Sequence, residues 1–230
     1  MKKYFIEAFL IFISVLSSFS IDSYLEKVSK INLKNELLNE LSFVIKEDLK
    51  QLTKVKDILN NCISSSKRLI DDYKGGGSLQ KNELAKDFLY LKQNGHMSFF
   101  PQDAVYKQLI QTGSIELINN DELRKKLFNV YDHLLKRKEF GDKVMDNFGV
   151  DFGRDMSNFI IVLSDDSEDK SLVYSDQVVS SFEQFNGYYD SKKVLYYYSE
   201  YNTWVSSFID LLETSEEIFK EILILIESEK

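Results

Sequence analysis

Residues 4–21 read YFIEAFLIFISVLSSFSI, an apolar stretch whose single charge is Glu7. A helix that crosses the hydrocarbon core of a bilayer needs about 20 predominantly apolar residues, and this stretch approaches that length. Lys2 and Lys3 precede it, and the helical pattern that follows contains neither Pro nor Gly for many turns. We therefore interpret residues 1–24 as a membrane anchor.

A cleaved secretory signal peptide is the alternative interpretation of residues 1–24. The two lysines would form its basic region, and the serine-rich segment 17–20 would supply the small residues of a cleavage region. Two features favour the anchor. The apolar run is longer than the about 7–15 residues usual in a signal peptide, and it contains Glu7, where a signal peptide is normally uncharged.

The distribution of basic residues sets the expected orientation. Lys2 and Lys3 lie on the N-terminal side of the stretch, whereas the opposite flank, residues 22–27, is mixed in charge. Because basic residues are enriched in cytoplasmic segments, the N-terminus is expected in the cytoplasm. Residues 25–230 are then expected to form the helical extracytoplasmic domain of a single-pass inner-membrane protein, with the bulk of the chain periplasmic.

Glu7 is the one charged residue within the apolar residues 4–21, and anchoring alone does not explain a charge there. A carboxylate within a membrane segment is by default a functional candidate, and it could pair with a partner helix. Alternatively, it lies about one helical turn from the cytoplasmic interface, where snorkelling toward water or protonation lowers the free-energy cost of placing a carboxylate in the membrane. Both interpretations stay open, and Glu7 is counted among the candidate partner-binding residues.

The composition favours helices and excludes two classes of partner. Only one Pro and nine Gly occur among 230 residues, fewer turn residues than strand-rich chains use. The formal net charge is −8, and it lies wholly in residues 25–230, because Lys2 and Lys3 balance Glu7 and Asp22. A domain this acidic lacks the basic footprint that nucleic acid or anionic lipid requires, so we expect no nucleic-acid partner.

Apolar residues recur with helical spacing along most of the chain, which predicts an all-α fold. The first helix is expected to continue from the anchor to about Tyr73 and to end at the glycine triplet of residues 75–77. Further helices are predicted at about residues 79–93, 101–113 (with Pro101 in the first turn and Gly113 as the C-terminal cap), 119–163, 177–185 and 191–227. The expected architecture is an N-terminal transmembrane helix that continues into a long helix, packed in an extracytoplasmic helical bundle.

No pattern of catalytic or metal-ligating residues is found. The two histidines, His96 and His133, lie in different predicted elements, and neither has partners at metal-ligand spacing. Residues 151–153 spell the Asp-Phe-Gly triplet of protein kinases without the other kinase motifs. The acidic segment 165–169, predicted as a solvated loop, lacks the Gly and Glu of a calcium loop. The single cysteine, Cys62, cannot form an internal disulfide and is predicted to be buried among apolar residues. We expect no enzyme, no cofactor and no metal site.

Aromatic residues cluster near the start of the last predicted helix. Such a cluster marks either an interface or part of the core, and the helical spacing of Tyr198 and Tyr201 favours the core for those two. Three consecutive tyrosines at 196–198 cannot all face one way on a helix, so at least one is expected to point away from the core. The candidate partner-binding residues are therefore Glu7, Tyr188, Tyr189, Tyr196, Tyr197 and Trp204.

The centre of the chain resembles a known bacterial family. Residues 99–124 read FFPQDAVYKQLIQTGSIELINNDELR, and the positions that follow the family's pattern are Tyr106, Leu109, Gly113, Leu117, Ile118, Asn120, Leu123 and Arg124. On these residues the chain resembles the family catalogued as domain of unknown function 6090. The resemblance covers most of the chain and is strongest over residues 99–135. It implies a single membrane span and a helical fold, and the family has no established activity to transfer.

The anchor, the apolar stripes and the missing catalytic constellation favour a structural or interaction protein. We expect a periplasm-facing helical bundle that contacts the membrane through residues 4–24 and binds an envelope protein or a second copy of itself. The alternative is a membrane-tethered sensor or ligand-binding module that acts through a partner, because helical bundles also bind small molecules between their helices.

Overall fold

The computed structural model describes residues 2–166 and 177–229. Within these ranges the chain is mostly helical, as predicted from the sequence, but a two-stranded sheet departs from the predicted all-α fold. The helices are α1 (Lys2–Lys74), α2 (Lys81–Asn94), α3 (Ala104–Gln111), α4 (Asp121–Phe128), α5 (Leu135–Met156) and α6 (Lys192–Glu229), with a 3-10 turn at Ser114–Leu117, a π-helical segment at Asn129–Leu134, and strands β1 (Ile160–Asp166) and β2 (Gln177–Gln184). Residues 167–169 of the predicted acidic loop lie outside the described residues.

Two compact units divide the chain. Unit 1 comprises Met1–Lys46, Gln102–Leu127 and Glu221–Lys230, and unit 2 comprises Glu47–Pro101 and Phe128–Lys220. Helices α1 and α6 contribute residues to both units. The predicted boundary at residue 24, between the anchor and the helical domain, lies within unit 1.

Unit 1 has an apolar core built from α1, α3, α4 and the end of α6. Its buried side chains recur every three or four residues along each helix, as on one helical face; they include Leu38, Leu41 and Ile45 of α1, Val105 and Leu109 of α3, Leu123 and Leu127 of α4, and Ile222 and Ile226 of α6. Gly113 follows α3 with a φ of +68°, as predicted for its C-terminal cap. The prediction for the start of α3 is wrong, because the helix begins at Ala104 and leaves Pro101 outside its first turn.

A buried ion pair lies in unit 1. Lys34 Nζ donates to Glu229 Oε1 at 2.9 Å, and the two side chains are 5% and 2% exposed. The same carboxylate accepts hydrogen bonds from the backbone amides of Asn119 and Asn120, just before α4, at 2.8 and 2.9 Å. Burial alone would raise the pKa of the Glu229 carboxyl, but Lys34 and the two amides outweigh it and hold that pKa below its ordinary value of 4.5. The pair therefore joins α1, α6 and the start of α4.

The glycine triplet ends α1 in a tight turn, as predicted. Gly76 and Gly77 have φ values of +68° and +99°, a region that Gly adopts without steric cost. The fully buried Asp72 carboxylate holds this turn, because it accepts from the Leu79 amide at 2.6 Å and from the Tyr189 hydroxyl at 3.0 Å. The position of the turn in unit 2 is thus set by a side chain as well as by the backbone.

Unit 2 contains a β-hairpin in a region where two helices are predicted. One helix is predicted to reach Leu163 and another to span residues 177–185, but α5 ends at Met156 and β1 pairs antiparallel with β2. Ile160 and Val162 are buried whereas Ile161 is exposed, which is the alternation of a strand. Asp165, predicted to lie in a solvated loop, belongs to β1.

The hairpin contains a change of register. Leu163 pairs with Ser181, and the next residue of β1 pairs with Val179, so Ser180 is an extra residue in β2. Such a bulge bends one strand and increases the local twist.

The long fourth helix of the prediction is instead two α-helices separated by the π-helical segment. Asn120 caps the start of α4, because its Oδ1 accepts from the amides of Glu122 and Leu123 at 3.0 and 3.1 Å. The π-helical segment has a wider turn than an α-helix and includes His133, whose side chain is exposed.

Tyr201 of α6 packs against the backbone at Gly95, just after α2 in unit 2. Its hydroxyl oxygen lies 0.5 Å from the position that a Cβ of Gly95 would take, and it donates to Leu91 O at 3.0 Å. The same carbonyl accepts from the Gly95 amide at 3.0 Å. Cys62 of α1 lies beside this hydroxyl and is fully buried, as predicted.

We expect Glu229→Gln to lower the free energy of unfolding by about 3 kcal/mol at about pH 7, because it removes one member of a buried ion pair. The folded-state pKa of Glu229 is depressed, so its stabilisation is complete above the ordinary value of 4.5 and is lost as pH falls through the folded-state pKa. Urea unfolding of the intact chain in detergent should therefore show a smaller effect at an acid pH below 4.5 than at about pH 7. Glu36→Gln, at an exposed site of the same unit, is the control. An equal loss for Glu229→Gln at both pH values would contradict the ion-pair explanation.

We expect Gly95→Ala to lower the free energy of unfolding by about 3 kcal/mol, because the new methyl group displaces the Tyr201 hydroxyl and breaks its buried hydrogen bond. Gly153→Ala is the matched control: a Cβ there meets nothing within 4 Å, so the change should stabilise α5 by about 1 kcal/mol. Unfolding of the intact chain followed by circular dichroism measures both. A melting temperature of Gly95→Ala equal to that of the parent would contradict the close contact between Tyr201 and Gly95.

Candidate functional site

Among the side chains that the structure describes, those of the apolar stretch at the start of α1 are exposed. The large apolar ones are between 43% and 75% exposed, the extremes being Ile13 and Tyr4. Among the described residues, α1 alone is long and apolar enough to cross a membrane, with a mean hydropathy of 1.4 over its apolar window and no residue of that window buried. A signal sequence would satisfy the same two criteria.

The hydroxyl groups of Ser14 and Ser20 in this stretch form hydrogen bonds to backbone carbonyls of the same helix. Ser14 Oγ donates to Leu10 O at 2.8 Å, and Ser20 Oγ donates to Leu16 O at 2.9 Å. A hydroxyl in hydrocarbon is costly only when it lacks a hydrogen bond, so these residues are compatible with lipid. Glu7 is exposed on the same helix and lies two turns before Ser14, on the same face.

The aromatic candidates divide into buried and exposed residues. Tyr188 and Tyr197 are 1% and 6% exposed, whereas Tyr196 and Trp204 are 56% and 41% exposed, and Tyr189 is half-buried. The surface that a partner can reach therefore consists of Tyr196 and Trp204 on α6.

Tyr188 and Tyr197 belong to the core of unit 2. The Tyr188 hydroxyl lies 2.9 Å from the Tyr198 hydroxyl, and burial raises the pKa of both. Tyr197 donates to Asp155 Oδ2 at 2.5 Å, and burial, reinforced by this carboxylate, raises the pKa of Tyr197 to about 12. These hydroxyls stay protonated at neutral pH, so they serve as hydrogen-bonding groups of the core.

A cleft of about 200 Å³ opens in unit 2 between α5 and the loop that follows α2. Its lining residues are Gln93, His96, Met97, Ser98, Phe100, Asp142 and Asp146. Asp142 and Asp146 lie four residues apart on α5, which places them on the same side of the helix. We call this feature the Asp142 cleft.

A buried lysine fixes the Asp142 carboxylate in the wall of the cleft. Lys138 is 4% exposed, and its Nζ donates to Asp142 Oδ2 at 2.5 Å. Ser98 Oγ donates to Asp142 Oδ1 at 2.6 Å. The ammonium lies 5.4 Å from the ring centroid of Phe100 and 5.9 Å from that of Phe208, within the range of a cation–π interaction. Both oxygens of Asp142 are thus held, and its charge is balanced.

The Asp142 cleft is not predicted from the sequence, although one signal for it exists. Lys138 follows the buried Leu134 by four residues, where helical spacing predicts an apolar side chain. Asp142 follows one turn later. A lysine within an apolar stripe, with a carboxylate four residues on, indicates a buried ion pair.

The other sequence candidates for chemistry remain apart. His96 lines the cleft, but His133 is exposed in the π-helical segment. Phe152, the middle residue of the Asp-Phe-Gly triplet, is buried with its ring stacked on Phe88 and Phe148. Within residues 2–166 and 177–229, no group of three or more His, Cys, Asp or Glu side chains could hold a metal ion.

We expect Lys138→Met to lower the free energy of unfolding by about 3 kcal/mol, because it leaves the Asp142 carboxylate without its counter-ion. Adding Asp142→Asn should recover most of this loss, since it removes the uncompensated charge. Lys143→Met, at an exposed site of the same helix, should change stability by less than about 0.5 kcal/mol. Urea unfolding of the intact chain measures all three variants. If the single and double variants are equally destabilised, lost packing rather than charge explains the effect.

The chain matches no protein-family model, no curated protein and no solved structure. The candidate sites therefore stand on their geometry and chemistry.

Proposed function

We propose that this chain is a single-pass membrane protein whose helical part is a structural or interaction module outside the cytoplasm. The observation that carries the proposal is the exposed apolar start of α1. Monomeric soluble proteins rarely expose a contiguous apolar patch larger than a few hundred Å², and such a patch marks an interaction with protein or membrane.

The energetics favour insertion of this stretch into lipid. Transfer of a large apolar side chain out of water stabilises by about 1.5–3 kcal/mol, so the whole stretch supplies on the order of 20 kcal/mol. Glu7 opposes insertion by about 3 kcal/mol at most on insertion scales, and by less near the interface. The apolar contribution therefore outweighs the carboxylate, and the hydroxyls of Ser14 and Ser20 add little cost because they are hydrogen-bonded.

In this proposal the N-terminus is cytoplasmic and the bulk of the chain is periplasmic, anchored in the inner membrane. Lys2 and Lys3 before the stretch support the orientation through the positive-inside rule. The resemblance of residues 99–135 to domain of unknown function 6090 supports a membrane location.

The proposed partner surface is the exposed side of α6 that carries Tyr196 and Trp204. Tyr and Trp are enriched at the centres of protein interfaces, where they contribute a large contact area at low entropic cost. An envelope protein or a second copy of this chain is the proposed partner, and Glu7 is a second candidate contact within the membrane.

Replacement of Phe12 and Leu16 by arginine should release the chain from membranes, because each arginine costs about 2.5–3.5 kcal/mol at the centre of a span. Phe140→Arg is the matched control, since Phe140 is 70% exposed but lies outside the stretch. The measurement is the fraction that stays in the membrane pellet after alkaline extraction.

Intact mass spectrometry of the parent distinguishes the two interpretations of residues 1–24, because a chain that lacks them is a processed secretory protein and contradicts the anchor.

Photocrosslinking tests the partner surface. A photoreactive residue at Trp204 should give a specific adduct in intact membranes, identified by mass spectrometry, whereas the same residue at the exposed Lys54 of α1 should not. Equal, diffuse labelling from both positions, with the chain monomeric, would contradict an interaction module.

A ligand-binding module is the second candidate function. The observation that favours it is the Asp142 cleft, a concave site with convergent polar groups of the kind that bind small molecules. In this second candidate the module acts through a separate partner protein.

A further inference from the structure

We propose that the Asp142 cleft binds a small organic cation, namely an amine that carries an apolar body. This inference goes beyond the anchored interaction module and does not depend on its membrane topology. Three properties of the cleft carry it: the charge of its lining, the fixed position of one carboxylate and an exposed aromatic wall.

The charge of the lining favours a cation. Two carboxylates, Asp142 and Asp146, line the cleft, and neither Lys nor Arg does. The neighbouring Lys138 ammonium is 4% exposed and already bound to Asp142, so it offers no free positive charge to an anion. Asp146 is exposed and has no ion-pair partner within the described ranges. The net negative charge that faces a ligand is therefore that of Asp146.

The Asp142 carboxylate is held in place before any ligand arrives. Lys138 donates to one oxygen and Ser98 to the other. A carboxylate offers about four lone-pair sites, so both oxygens keep the capacity to accept a further hydrogen bond from an ammonium group. Because the group is already ordered, a ligand that binds it loses little free energy to rearrangement.

An apolar wall faces these acceptors. The Phe100 ring is 64% exposed, and Met97 beside it is half-buried. A ligand with an alkyl or aromatic body can cover the exposed ring while its ammonium group reaches the carboxylates of α5. The Phe100 ring already attracts one ammonium, that of Lys138, so its face is suited to positive charge.

Other ligand classes fit this lining less well. An anion would meet two carboxylates, and a neutral molecule would leave Asp146 without a charge partner. A tightly held metal ion would need a larger set of ligands than the described residues bring together. The volume of about 200 Å³ admits a small molecule rather than a folded segment of another protein.

Calorimetric titration of the intact chain in detergent, with phenethylamine as the probe, tests the assignment. Phenethylamine has an ammonium group and a phenyl ring joined by two carbons. The neutral 2-phenylethanol and the anionic phenylacetate keep the ring and change only the charge. After subtraction of a titration into empty micelles, we expect saturable binding of the amine and at least about tenfold weaker binding of both analogues.

Charge-matched variants separate the cleft from the general acidity of the chain. Asp146→Asn should weaken phenethylamine binding about tenfold. Asp57→Asn removes the same charge from an exposed site of α1 and should leave the affinity unchanged. Both aspartates are exposed, so the melting temperature should stay that of the parent and show that the fold is intact. Phe100→Leu should weaken phenethylamine binding by a smaller factor, because leucine keeps an apolar side chain at this position but a smaller one.

Three results would overturn the proposal. The absence of saturable binding above the micelle background would reject a site of this class. Equal affinity for phenethylamine and 2-phenylethanol would show that apolar contact alone explains binding. An equal response of the Asp146→Asn and Asp57→Asn variants would assign the binding to the overall charge of the chain.

Discussion

The contact of the Tyr201 hydroxyl with the backbone at Gly95 is the constraint on which the organisation of unit 2 depends. The hydroxyl fills the volume that any side chain at residue 95 would need, and it shares the Leu91 carbonyl with the Gly95 amide. It therefore fixes the end of α2 against α6 and the direction in which residues 96–100 leave the helix. Four of those residues (His96, Met97, Ser98 and Phe100) line the Asp142 cleft, so the position of the cleft follows from a contact that lies outside it.

Three carboxylates hold connecting segments whose paths the apolar spacing does not specify. Glu229 binds two backbone amides before α4, Asp72 binds the amide of Leu79 after the glycine turn, and Asp142 binds Ser98 in the loop after α2. In each case an acceptor on a long helix satisfies donors of a short connection. The helical framework comes from apolar packing, whereas the paths of the loops come from these hydrogen bonds.

The sequence predicts the helices well, because glycines and asparagines mark their ends and apolar residues keep one spacing between them. It predicts the hairpin wrongly for a specific reason. Phe159 and Leu163 are four residues apart, as on a helix, but the intervening Ile160-Ile161-Val162 is a β-branched run that favours a strand. The candidate sites were less predictable still. Spacing shows that Tyr196 and Tyr197 cannot share a face, but only the fold shows that Tyr197 is the buried one and that Lys138 is drawn inside.

Cys62 gives the protein a practical property. Burial raises the pKa of its thiol to about 12, so almost none of it is the reactive thiolate at neutral pH. Because it is the single cysteine of the chain, the folded natural protein is expected not to react with thiol reagents. A cysteine introduced at any exposed position would then be the one site that a probe modifies, and reaction of the parent itself would report unfolding of the α1–α6 contact around Tyr201.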